Sequence, residues 1–151
     1  MDMLISFPGN KRVDADYKGF TIQTDQCRED GGDASAPEPF DLFLSSIGTC
    51  AGIYVLSFCR ERGLATDGIS LKLSFDRNEK SWMVENIRVE INVPPEIPQK
   101  YYKAIARAAG LCTVKKHLVT PPAFDIVTVE NQATAGGGRE SGVDNRSSAA
   151  A

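Results

Sequence analysis

Four cysteines, Cys27, Cys50, Cys59 and Cys112, carry the strongest latent nucleophiles of this 151-residue chain, and two of them stand where a thiol can be made reactive. Cys50 lies in the middle of a long apolar run, among Ser46, Gly48, Thr49, Ala51 and Gly52. Those small side chains leave backbone accessible and room beside the sulfur. Cys112 opens Cys112-Thr113-Val114, which reads as the start of a short helix. A helix start presents unpaired N–H groups and partial positive charge, and both favour thiolate over thiol. Two thiols so placed can form a couple. One attacks an electrophile such as a peroxide oxygen and becomes a sulfenic acid; the other condenses with it to a disulfide that an outside dithiol reduces. Sixty-two positions separate the two, so only the fold can bring them together.

The structural alternative is substantial. Free cysteine is among the most buried residue types, and a lone cysteine inside a helix is by default a packing residue. Cys59, nine residues beyond Cys50, is turned by about 900° and faces roughly the other side of an ideal helix, as a core or interface residue would. Cys27 sits beside Arg28 in a polar loop and reads as a solvated thiol. A zinc site is disfavoured: there is no Cys-x-x-Cys, and the one histidine, His117, does not complete with Cys112 the paired spacing of a structural zinc site.

The elements that must position these residues follow from pattern. Residues 2–7, 12–17 and 20–24 form an N-terminal meander of short strands, with Pro8-Gly9-Asn10 and Lys18-Gly19 at the turns. Asp25 to Glu38, rich in Gly and Asp, reads as a loop and a mobile edge for a site. Pro39 suits a first helical turn, Asp41 the positive end of the dipole, and Arg60, Arg62 and Gly63 form a stop, which predicts a helix over 39–62. Between Leu42 and Cys59 it has no Lys, Arg, His, Asp or Glu, and apolarity on all sides predicts burial on all sides. Eighteen uncharged residues approach the length of a membrane span, but Ser45, Ser46, Gly48, Thr49, Gly52 and Ser57 dilute the run, and a buried core helix explains it without a bilayer.

Alternation at Ile69, Leu71, Leu73 and Phe75, and at Ile87, Val89, Ile91 and Val93, predicts a hairpin with one buried face. A second helix opens at Ile97-Pro98 and breaks at Gly110; a third runs from about Cys112 to Leu118; a last strand spans Phe124 to Val129. From 131 to 151 the chain is small and polar, with almost nothing to bury, and reads as a flexible tail after a single domain over 1–130.

With 42% hydrophobic and 25% charged residues, the composition is that of a globular domain. A net charge of −3 and the lack of a basic cluster argue against nucleic acid and anionic membranes as partners. The N-terminus has no basic region and no long apolar core of a secretion signal, so the expected location is the cytoplasm, with the thiols reduced at rest or redox-active.

Two segments together resemble a known family. Pro39-Phe40-Asp41-Leu42-Phe43-Leu44-Ser45-Ser46-Ile47-Gly48-Thr49-Cys50 is similar to the Pro-x-Glu/Asp-Leu-x-Leu-x-x-x-Gly-x-Cys element of the OsmC/Ohr family, and Cys112-Thr113-Val114-Lys115-Lys116-His117-Leu118 to its Cys-Pro-Val-x-x-x-Leu segment. The resemblance implies an α+β, OsmC-like fold, with antiparallel sheets wrapped around long central helices in an intertwined homodimer and active sites at the subunit interface. It implies that Cys50 is the peroxidatic nucleophile and Cys112 the resolving thiol. The substrates it implies are organic hydroperoxides or hydrogen peroxide; no cofactor or metal is needed, and the reductant is an external dithiol of lipoyl or other small type.

Members of the family also hold the thiolate with an acid and an arginine. Asp41 matches the acid of the less characterised OsmC-like branch, whereas the hydroperoxide-resistance branch has a glutamate where Phe40 stands. Arg12, with Arg28 behind it, is the candidate arginine. The shifted acid motivates the other reading, a non-peroxidase member that binds a small apolar or thiol-bearing ligand at the dimer interface.

Overall fold

The computed structural model describes residues 2–130; the expected tail at 131–151 lies outside them. Strands β1 (Leu4–Gly9), β2 (Arg12–Tyr17) and β3 (Phe20–Ile22) form an antiparallel sheet in that order. Both turns use left-handed backbone, Asn10 at φ 48 after Gly9, and Lys18 at φ 51 before Gly19 at φ 80. Lys18-Gly19 is a two-residue hairpin loop, and it fixes Tyr17 opposite Phe20.

The connection from β3 to the long helix is held by one carboxylate. Asp25 is completely buried and accepts hydrogen bonds from the Gln26, Asp33 and Ser35 N–H groups, at 2.8, 3.2 and 3.0 Å, and from the Ser35 hydroxyl at 2.7 Å. Gly32 fits because a Cβ there would collide with the Gln26 carbonyl. The segment expected as a mobile edge is instead folded around Asp25. The signal missed is that an aspartate followed by Gly and Ser residues can organise its own loop.

The Ser35 backbone and hydroxyl bonds, with those from Gln26 and Asp33, hold the Asp25 carboxyl at about 2, below its ordinary 3.8. A depressed folded-state value contributes stability above the ordinary value and loses it as pH falls through about 2. Replacing Asp25 by asparagine is therefore expected to lower Tm at neutral pH. The gap to the parent should narrow from about pH 4 towards pH 2 in a circular-dichroism melting series. A gap that stays constant over that range would contradict this role.

Helix α1 (Pro39–Arg60) follows. Pro39 takes its first turn, and the Asp41 carboxylate accepts the Glu38 N–H at 3.2 Å, one half of a capping box. The helix stops two residues short of the expected Arg62. Gly63, at φ +63, turns the chain back so that the Leu64 N–H reaches the Cys59 carbonyl at 3.0 Å. Three α1 hydroxyls donate to their own helix, Ser45 to Leu42 O, Ser46 to Phe43 O and Thr49 to Ser45 O.

Burial does not extend round α1. Leu44, Ile47, Ala51, Val55 and Cys59 form a single buried stripe at helical spacing, while Ile53 is 61% exposed. The other chain elements cover one face and leave the rest open. Among the described residues α1 is the one helix long and apolar enough to cross a bilayer, a property it shares with core helices of soluble proteins.

Strands β4 (Ser70–Arg77) and β5 (Val84–Asn92) make the expected hairpin, with Leu71 opposite Ile91 and Leu73 opposite Val89. A 3-10 turn at Gln99–Tyr101 leads into α2 (Tyr102–Ala109), so the second helix begins later than Ile97-Pro98 suggests. Ile97 instead joins Val55, Cys59 and Ile105 in the core. Helix α3 spans Thr113–Val119 with Cys112 as its N-cap. The strand expected over 124–129 does not form: the segment is unpaired, with Phe124 84% and Ile126 92% exposed. Its alternation is that of a strand, but no described edge meets it.

Candidate active site

Cys50 projects from the middle of α1, half-buried, and the first turn of α3 lies over it. The Val114 N–H donates to its sulfur and is the largest influence on it; the Cys112 S–H and the Thr113 N–H donate as well. Together these donors outweigh desolvation and hold the thiol below its ordinary value of 9.0, towards thiolate. Among the described residues no charged side chain is among the groups acting on this sulfur. The thiolate is favoured by hydrogen bonds, not by an ion pair.

Cys112 has the opposite character. Its residue is 1% exposed, and burial first, then the neighbouring Cys50, pushes its thiol up, against the Lys115 N–H donated at 3.5 Å. Its S–H can also reach the Ile47 carbonyl, at 3.9 Å. The helix-start N–H groups that the sequence associates with Cys112 are shared: Lys115 serves Cys112, Thr113 favours the Cys50 thiolate, and Val114 acts on both. Two cysteines far apart in sequence meet as a low thiol that accepts and a high thiol that donates. Chemically this is an asymmetric pair: a nucleophile, and a protonated partner in hydrogen-bond contact with it.

Cys59 is fully buried in the core cluster, and burial pushes its thiol up. Cys27 accepts the Asp30 N–H, which favours thiolate, but the Asp30 carboxylate 3.3 Å away and desolvation prevail and raise it. Its sulfur, with oxygens of Asp30 and Glu38, forms the one cluster of metal-type donors among the described residues. Its members are exposed or half-exposed, and a raised thiol is a poor ligand. Cys112 and His117 belong to no such cluster among the described residues; His117 Nδ1 bonds the Thr113 carbonyl at 2.8 Å.

The two charged candidates have partners of their own. Asp41 is exposed and engaged with the helix start. Arg12 pairs with Asp14 through Nη2 and Oδ2 at 2.6 Å, leaving Arg12 Nε and Asp14 Oδ1 buried without partners. Arg28 stands exposed in the Asp25 loop. Within one chain none of the three touches Cys50. Tyr54, one turn beyond Cys50, does enter the site, through a 2.9 Å hydroxyl bond to Thr113.

A groove of about 480 Å³ opens between β5, α1, α2 and α3. Ile47, Ala51, Val89, Ile91 and Ala106 make it apolar, Glu85 and Lys115 supply charge, and Cys112 is the member of the couple that lines it. The apolar face of the hairpin, expected to be buried, looks into this space, and Ile87 stays 37% exposed.

The chain is α+β, and its long helix carries a cysteine beside the cysteine-capped start of a later helix. The chain belongs to the OsmC-like protein family, whose model matches residues 31–127. Solved structures share the fold. A Psychrobacter arcticus protein named for an osmotic stress and detoxification response is 21% identical over 76% of this chain and 85% of its own, with a TM-score of 0.66. An OsmC like protein of Mycoplasma pneumoniae is 15% identical over 80% and 87%, at 0.61. A hypothetical protein of Aquifex aeolicus is 19% identical over 80% and 87%, at 0.62. No curated protein matches the chain. At these identities the likeness is one of fold.

Proposed function

We propose that this protein is a thiol-dependent peroxidase that reduces organic hydroperoxides, or hydrogen peroxide, through Cys50 and Cys112. The observation that carries the reading is that the α3 cap sets the buried Cys112 against α1, its sulfur 3.9 Å from the Ile47 carbonyl, beside Cys50, whose thiol is shifted towards thiolate. The Cys50 thiolate attacks the distal peroxide oxygen, the O–O bond breaks, and the alcohol leaves after taking a proton from solvent. Cys50 is then a sulfenic acid. Cys112 sulfur attacks it, its proton leaves with the hydroxyl as water, and a disulfide forms. An external dithiol restores both thiols and is itself oxidised to a disulfide.

The working unit is a homodimer. A second copy covers the open face of α1, pairs with the 124–129 segment and brings its own Arg12 and Asp41 towards Cys50. Three features support this: the exposure of Ile53, the empty space beside Gly48 and Gly52, and the unpaired run ending in Val129. Light scattering behind size exclusion is expected to give about twice the 16.4 kDa chain mass. A mass of one chain at micromolar concentration would contradict it.

The groove supports the second reading, a ligand-binding protein without turnover, because Cys112 lines it and Cys50 does not. A steady-state assay separates the two. With a small dithiol as reductant, cumene hydroperoxide should be consumed in many equivalents per chain. Binding without consumption would favour the second reading.

A further inference from the structure

The Tyr54 and Thr113 hydroxyls meet at 2.9 Å across 59 residues of sequence. Tyr54 follows Cys50 by one helical turn and so rises from the same face of α1. Thr113 is the first residue of α3, and its backbone, after that of Val114, favours the Cys50 thiolate. The first position of a helix is where proline fits most easily, since that N–H has no partner within the helix. Here the N–H has a use, and the side chain of the same residue is tied to the helix that carries the nucleophile.

We propose that Tyr54 and Thr113 are positioning residues for Cys50: the hydroxyl bond fixes the start of α3 against α1 and keeps the Thr113 N–H aimed at the nucleophilic sulfur. Thr113 is exposed, and besides the Tyr54 bond its carbonyl meets His117 Nδ1 at 2.8 Å, a bond within α3 that does not tie it to α1. Few other groups compete for the role. Of the titratable groups, Cys112 on the α3 cap acts on Cys50; Tyr54 bonds the Thr113 hydroxyl, His117 engages the Thr113 carbonyl, and Lys115 donates its N–H to Cys112. The mechanical link is thus short, from the Tyr54 hydroxyl through Thr113 to the sulfur.

The inference rests on the peroxidase reading only for its kinetic consequence, because the thiolate is measured without peroxide. Reduced full-length protein is labelled with iodoacetamide across pH, and the rate at Cys50 is read by peptide mass spectrometry. Thr113→Pro removes N–H and hydroxyl together and is expected to move the midpoint upward, slowing labelling at pH 7 by roughly three- to tenfold. Tyr54→Phe and Thr113→Val keep the N–H but break the tie, and each should slow it about two- to fourfold. The double variant should be no slower than either alone, as for two members of one bond. Thr113→Ser should restore the parental midpoint.

In all variants the high-pH plateau should match the parent, whereas a merely loosened site would change the plateau and leave the midpoint. Unchanged midpoints in Tyr54→Phe and Thr113→Val would overturn the proposal, even if Thr113→Pro fails to fold. If the midpoints shift but the parent consumes no peroxide, the clamp stands and the peroxidase reading falls. If the parent turns over and the midpoints do not move, the reverse holds.

Discussion

Cys50→Ser is expected to abolish peroxide consumption, lowering the rate by at least about a thousandfold. The hydroxyl would occupy the same place under the Val114 and Thr113 N–H groups, but serine is not ionised at neutral pH and its oxygen cannot cycle through a sulfenic acid. The donors that favour thiolate at this position have no comparable effect on so weak an acid. Cys50 is half-buried and the exchange nearly isosteric, so the fold should survive with a stability change of about 1 kcal/mol or less. Peroxide remaining, read colorimetrically, and a melting curve on the same sample separate chemistry from folding. Cys59→Ser provides the contrast. Its hydroxyl would enter the fully buried core cluster, costing about 1–3 kcal/mol if unpaired while leaving the reaction in place.

The second large effect falls on turnover. Cys112→Ser should still reduce about one equivalent of peroxide per chain and then stop, with steady-state consumption lower by about a hundredfold or more. A serine hydroxyl can replace the thiol as a donor to Cys50, so the first step persists. It cannot form a disulfide, and the Cys50 sulfenic acid must accumulate, to be trapped by dimedone or driven to sulfinic acid by excess peroxide. Steady turnover by Cys112→Ser at the parental rate would remove Cys112 from the resolving role. The two variants therefore differ in kind: one fails before the first oxygen transfer, the other after it.

Much of this was legible from pattern. The length of α1, its proline start and its glycine stop are local chemistry, and so is the β4–β5 alternation, which fixes both strands and their register. Cys112 at a helix start followed from the Gly110 break and the residues after it. What could not be read was whose sulfur those N–H groups would serve. A hydrogen bond from Val114 to Cys50 depends on how α3 crosses α1, and sequence spacing carries no trace of that crossing. Tyr54 was indistinguishable from a packing residue for the same reason. Asp25 shows the limit for loops, where one buried carboxylate with four donors orders a stretch whose composition alone suggests freedom. The all-round apolarity of α1 and the alternation over 124–129 have a different status. Both describe surfaces that the elements of a single chain leave uncovered.

Asp41 illustrates how a motif residue and a helix-capping residue look alike. Its bond to the Glu38 N–H accounts for an acid in the first turn without any catalytic part, and Arg12 is likewise occupied by Asp14.

The most direct measurement is a disulfide map. Reduced protein treated with one equivalent of cumene hydroperoxide, blocked at its remaining thiols and digested without reductant, should yield the Cys50 and Cys112 peptides joined by a disulfide, with Cys27 and Cys59 recovered as blocked thiols. Recovery of all four cysteines as blocked thiols, or a disulfide that joins Cys50 to Cys27 or Cys59, would contradict the account.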